Sequence, residues 1–193
     1  MARNNGTNIN DNTGVVAGEI GQVIINKPSP IKPSIIASIL KLMIDDKVLG
    51  ADASNLKSYQ IDDKIQYNNV VKYKALIEEY YSFCIVCEQT IDKLDNSKPN
   101  SKNIILRYVN TKYKLFKGEC LAAIGTATDE MQAVRENADN ILDKIKAHYL
   151  ELAEQSGLFE KYSYEEVELN ILAFIVYCFV ECKILEKPPQ VTE

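Results

Sequence analysis

Five cysteines and a single histidine are the residues of this 193-residue chain whose types invite chemistry. Cys84 and Cys87 form a Cys-x-x-Cys pair, a spacing used by redox turns and by metal sites. A redox turn needs a strand running into a helix N-terminus, which lowers the thiol pKa, whereas this pair falls in the middle of a helical pattern. Both positions lie on an apolar stripe, and buried cysteine packs as a small hydrophobe, so filler between helices is the favoured reading. Zinc would require about four ligands. Cys120 stands alone and Cys178 and Cys182 are an i, i+4 pair, so only thiols gathered from two helices would complete a site. No metal, cofactor or catalytic residue is expected.

His148 rules out any mechanism that needs two imidazoles and leaves one candidate phosphoacceptor. It sits at a core-stripe position and is followed by Tyr149-Leu150-Glu151, without the lysine and glycine that phosphotransfer modules place after their histidine. An interior or boundary histidine is the favoured reading. The glycine-containing strings GTNINDNTG and GEIGQVIIN lack the lysine-serine ending of a phosphate-binding loop. Carboxylate pairs such as Asp45-Asp46, Asp62-Asp63 and Glu165-Glu166 fall at helix ends or on polar faces, where the helix dipole or water accounts for them.

Charge offers one asymmetry. Acidic residues outnumber basic ones by 27 to 22, so the overall field repels phosphate. Yet Ser97 to Gly118 holds Lys98, Lys102, Arg107, Lys112, Lys114 and Lys117 with no acidic residue, interleaved with Tyr108, Tyr113 and Phe116. Such a basic face can contact nucleic-acid phosphates, can complement an acid-rich neighbouring helix (Asp129, Glu130, Glu136, Asp139, Asp143), or can simply face water.

The elements that must position these groups read as all-α: a bundle of about four long helices preceded by one short helix. Residues 1–30 are an Asn/Gly-rich extension in which Val15-Val16-Ala17 and Val23-Ile24-Ile25 suggest a short hairpin or an edge strand, or else a flexible tail. Residues 31–189 form the bundle domain, and 190–193 a tail. SIIASILKLMI after Pro33 gives the short helix, and the polar stretch 51–64 reads as a loop. Val70, Tyr73, Ile77, Tyr80, Cys84, Cys87, Ile91 and Leu94 predict one long helix. Leu106, Val109, Tyr113, Phe116, Cys120 and Ala123 predict a second, between Pro99 and Gly125. Met131, Val134, Ala138, Ile141, Ile145, His148 and Leu152 predict a third, from Thr128-Asp129 to Gly157. The last opens on a Ser163–Glu166 capping box and is apolar on most sides, with Pro188-Pro189 as its stop. Its apolar run is too short for the ~20 residues that span a bilayer, and the N-terminus lacks an export signal. A reducing cytoplasm suits the odd number of cysteines.

Three separated strings carry a resemblance. KIQYNNVVKY at Lys64–Tyr73 continues to IEEYYSF; ILRYVN at Ile105–Asn110 continues to KYKLFKG; and AFIVYCFVECKILEKPP closes the series. In this order, and over most of residues 60–189, they resemble the C-terminal domain of bacterial ABC-three-component conflict systems, of which Lamassu-type antiphage defence looks like a member. The resemblance implies a non-catalytic accessory or linker subunit. Its partners would be an ABC or SMC-like ATPase and a toxic effector such as a nuclease from the same operon, with homo-oligomerisation as one form of assembly. Nucleic acid would be met mainly through the ATPase, and membrane not at all. That domain is often the tail of a longer effector. Here about 30 residues precede it, so the toxic step is expected of another chain. The expected contact residues are Lys102, Arg107, Lys112 and Lys114 on the basic face and Lys183, Glu186 and Lys187 near the C-terminus. Two other readings remain beside it: a phosphorelay or thiol enzyme built on His148 or on Cys84 and Cys87, and a direct DNA-binding module using the face of 97–118.

Overall fold

The computed structural model describes residues 34–50, 59–124 and 129–189. These form seven α-helices: α1 (Ile35–Asp45), α2 (Tyr59–Tyr67), α3 (Lys74–Tyr80), α4 (Cys84–Ser97), α5 (Ser101–Ile124), α6 (Glu130–Gln155) and α7 (Tyr164–Val180). No strand occurs among the described residues, and the architecture is the all-α bundle expected. The proposed hairpin or strand in 1–30, Pro33, Thr128 and the tail 190–193 lie outside them.

α7 is the axis of the bundle. Every residue from Asn170 to Phe179 is buried, which is what a helix apolar on all sides requires. It packs against α1, α3, α4 and α6, while α5 lies along α6 and α4. The capping box forms as read. Ser163 Oγ accepts the Glu166 N–H at 3.2 Å, and the Glu166 carboxylate accepts the Ser163 N–H at 3.0 Å. Ser34 caps α1 in the same manner through the Ala37 N–H. Gly157 takes the left-handed conformation, φ 71°, that closes α6.

Three expectations are corrected. The stretch 51–64 is not all loop, because α2 begins at Tyr59. Its apolar signal is only Ile61 and Ile65, and two further inward positions are the polar Lys64 and Asn68, 3% and 0% exposed, which hides the helical period. The long helix expected from Val70 is divided. All eight stripe residues are buried, but a single 3₁₀ turn at Tyr81–Phe83 separates α3 from α4. The start is delayed to Lys74 because Asp139 of α6 accepts the backbone N–H groups of Val71 and Lys72, at 3.1 and 2.9 Å, and so pins a turn there. That turn follows a Schellman stop in which Asn69, φ 54°, is left-handed and Val70 N–H bonds Ile65 C=O at 3.0 Å.

The third correction concerns the end of α7, which stops at Val180 well before Pro188. Cys182 adopts the left-handed conformation, φ 54°, with its N–H on Phe179 C=O and the Lys183 N–H on Cys178 C=O, again a Schellman stop. Cysteine at the position that usually holds glycine gives no sequence cue. Beyond it the chain folds back and buries Ile184 and Leu185.

Candidate functional site

The thiols pack as hydrophobes. Cys84 is 8% exposed and Cys87 is fully covered, and Cys178 of α7 lies beside both. Burial pushes the Cys84 thiol up to about 12 and Cys87 and Cys178 higher still, so none of the three is a thiolate near neutral pH. Among the described residues no group of three His, Cys, Asp or Glu side chains could hold a metal ion. Cys182 sits apart, next to Lys64.

His148 is not a core position. The buried residue of that turn is its neighbour Tyr149, whereas His148 is half-covered between α6 and α5. Its Nε2 lies 2.8 Å from the Tyr108 hydroxyl, and the Phe116 ring meets it edge-on. Burial lowers its pKa, and Lys112 lowers it further, so the imidazole is neutral at pH 7. His148, Cys84 and Cys87 therefore share no cleft: the thiols are under α7, the imidazole under α5.

The sequence strings converge on one cluster. Buried Lys64 donates to the carbonyls of Phe179 and, at 2.9 Å, Ile184. Asn68 donates to the Glu186 carbonyl and accepts the Glu186 N–H, both at 2.8 Å. From α5, Asn110 donates to the Lys183 carbonyl, and Tyr113 and Lys117 bond the Glu186 carboxylate at 2.6 Å each. The segment after α7 is thus stapled by α2 and α5. No carboxylate among the described residues is in contact with Lys64, and desolvation lowers its pKa to about 8.

This staple changes the standing of two expected contact residues. Glu186 is held inside the chain, and Lys102 is paired with Glu88 and Asp92 of α4 at 3.1 and 2.9 Å. Neither is a free contact. Lys112 lies 5.5 Å over the Tyr108 ring. Lys183 is half-buried, with its backbone carbonyl bonded by Asn110. Arg107, Lys114 and Lys187 are exposed, and their charged ends have no partner among the described residues.

Arg107 and Lys114 belong to a face of α5 that the core stripe conceals. The buried positions described for this helix are Ser101, Ile105, Val109, Tyr113 and Cys120, so Leu106 is only half-covered and Ala123 points to solvent, against expectation. Opposite them, Ile104, Thr111, Leu115, Gly118 and Ala122 recur at helical spacing on the outside. Ile104 is 47% and Leu115 55% exposed, and a methyl group added at Gly118 would touch nothing within 4 Å. The second stripe was present in the sequence as apolar and small residues at steps of three, four and seven. Comparison with protein-family models, curated proteins and solved structures finds no match.

Proposed function

We propose that this chain is a non-catalytic accessory subunit of an ABC-three-component antiphage defence complex in the cytoplasm, joining an ABC or SMC-like ATPase to an effector. The outer face of α5 supports the reading. An apolar and small-residue seam about five turns long, roughly 27 Å at 1.5 Å per residue, is flanked by two cations without partners among the described residues. That pattern fits an amphipathic helix of the ATPase or effector whose apolar seam lies on Ile104 and Leu115 and whose acidic flank meets Arg107 and Lys114. The basic face favours an acidic protein surface over the same face of a second copy, which would repel it. No helix among the described residues is long and apolar enough to cross a membrane.

Expression of the tagged full-length chain with the genes on either side tests the reading. Stable copurification with an ATPase subunit, abolished by Arg107→Glu with Lys114→Glu, is the expected result. Recovery of a lone monomer in the presence of both neighbouring products overturns it. Salt-dependent binding of duplex DNA by the isolated chain, lost in the same double variant, would replace it with the nucleic-acid reading.

A further inference from the structure

Cys182, the only one of the five cysteines that is not buried, sits against Lys64, the one buried lysine among the described residues. Residues 178–184 close around the Lys64 ammonium. The carbonyls of Phe179 and, at 2.9 Å, Ile184 accept two of its three N–H groups. The Phe179 carbonyl also accepts the Cys182 N–H, at 3.1 Å, so Lys64 and Cys182 share one oxygen. The Cys182 side chain is itself within hydrogen-bond reach of the ammonium. Its Sγ lies 3.6 Å from the Val180 carbonyl, which fixes the sulfur over the same turn. Glycine is the usual occupant of a left-handed helix stop, so the turn alone gives no reason for a thiol there.

We propose that Cys182 and Lys64 form a paired modification site, at which hydrogen peroxide joins Sγ to Nζ in a sulfenamide bond. The thiol sulfur first attacks peroxide. An S–O bond forms, the O–O bond breaks, and the thiol proton leaves with the departing hydroxide as water; sulfur is oxidised by two electrons and peroxide is reduced. The unprotonated Lys64 amine then attacks the sulfur of the sulfenic acid. An S–N bond forms, the S–O bond breaks, and the hydroxide departs as water with a proton from nitrogen. Thiol, amine and one peroxide thus give one sulfenamide and two waters. The second step is intramolecular, because the amine is beside the sulfur before oxidation. Burial also lowers the Lys64 pKa to about 8, so part of it is a neutral amine near neutral pH, where an exposed lysine is almost wholly charged. Selectivity follows from burial: Cys84, Cys87 and Cys178 are covered, and desolvation keeps them as unreactive thiols. The new bond ties α2 to the segment after α7, the same two elements that Asn68 and Glu186 clasp. It does not depend on the docking role of α5.

Treatment of the full-length chain with a small excess of hydrogen peroxide, followed by intact mass and peptide mapping, tests the proposal. The expected product is about 2 Da lighter than the parent, and its proteolysis yields a peptide in which residues 64 and 182 are joined and which dithiothreitol separates. Lys64→Arg keeps the positive charge but offers no amine; it should give no linked peptide, and dimedone should trap its Cys182 as the sulfenic acid. Dimedone added with peroxide to the parent chain should divert the linked product to a Cys182 adduct, a control that needs no substitution. Cys182→Ser should give neither product. A disulfide between Cys178 and Cys182, which has the same mass but keeps both sulfurs in one C-terminal peptide, overturns the proposal. So does oxidation of Cys182 to its sulfinic or sulfonic acid with Lys64 unlinked. A Cys182 that peroxide leaves unchanged overturns it as well.

Discussion

The two sides of α5 answer opposite questions. On the inward side, Asn110, Tyr113 and Lys117 each have a partner on the segment that follows α7, and these bonds close the fold. On the outward side, Arg107 and Lys114 have none among the described residues, and Ile104 and Leu115 are left to water. A charge satisfied inside its own chain is evidence of architecture. A charge left unpaired beside exposed hydrocarbon does no such work within the described residues, and the proposed docking role rests on it. The string resemblance draws on both sides at once, because ILRYVN and KYKLFKG contain the staple residues as well as Arg107 and Lys114.

Removing the staple should have the largest effect. Asn68 is 0% exposed and makes reciprocal bonds with the backbone of Glu186 besides one to Lys64 C=O. Asn68→Ala strands a buried N–H and a carbonyl, which costs about 3 kcal/mol at the usual penalty per orphaned group. Urea denaturation should show the loss as a lower midpoint. An unchanged midpoint would mean that the C-terminal segment does not hold the bundle.

Lys64 sharpens the same side through pH. Its folded pKa of about 8 lies below the ordinary 10.5, so between those values the unfolded chain binds more protons and stability rises with pH. The raised pKa values of Cys84, Cys87 and Cys178 act in the opposite sense above about pH 9, as unfolded thiols ionise while folded ones do not. Comparison with Lys64→Met separates the two. The advantage of the parent chain over the variant should grow by about 2 kcal/mol from pH 7 to pH 10, and a constant difference would show that Lys64 is not buried as described.

Glu186→Gln should cost less, about 1 kcal/mol, since the site is partly solvated and Lys117 keeps Glu130 as a second partner. Burial pushes the Glu186 carboxyl upward, but Lys117 and Tyr113 hold it net below its ordinary value. Its contribution is therefore present above pH 4.5 and is lost as the pH falls below that. The acid limb of a stability profile should flatten in the variant.

How far these regions were legible depends on where their partners sit. α1, α5, α6 and α7 announce themselves because an apolar stripe is a local pattern, and Ser163 and Gly157 are local punctuation. The staple is not local. Glu186 and Tyr113 are 73 residues apart, so nothing near either one says that Glu186 is spoken for. α2 was lost for a related reason: Lys64 and Asn68 look like solvent-facing residues until the carbonyls they serve are in place. The stop of α7 at Cys182 was hidden because the left-handed position is filled by a residue that rarely takes it. His148 fits the boundary reading, half-covered and bonded to Tyr108, although the fully buried position of that turn is Tyr149.

The outward side supplies the smallest effect on stability and the sharpest test of the comparison. Arg107→Glu and Lys114→Glu break no bond among the described residues and reverse charges that water already surrounds, so each should move the unfolding free energy by no more than about 0.5 kcal/mol. Leu115→Ala removes hydrocarbon that is 55% exposed and should fall in the same range. On the proposed docking role, retention of an ATPase partner should nevertheless fail in all three. If one of these substitutions instead unfolds the chain, the seam is part of the architecture, and the division between the two sides of α5 collapses.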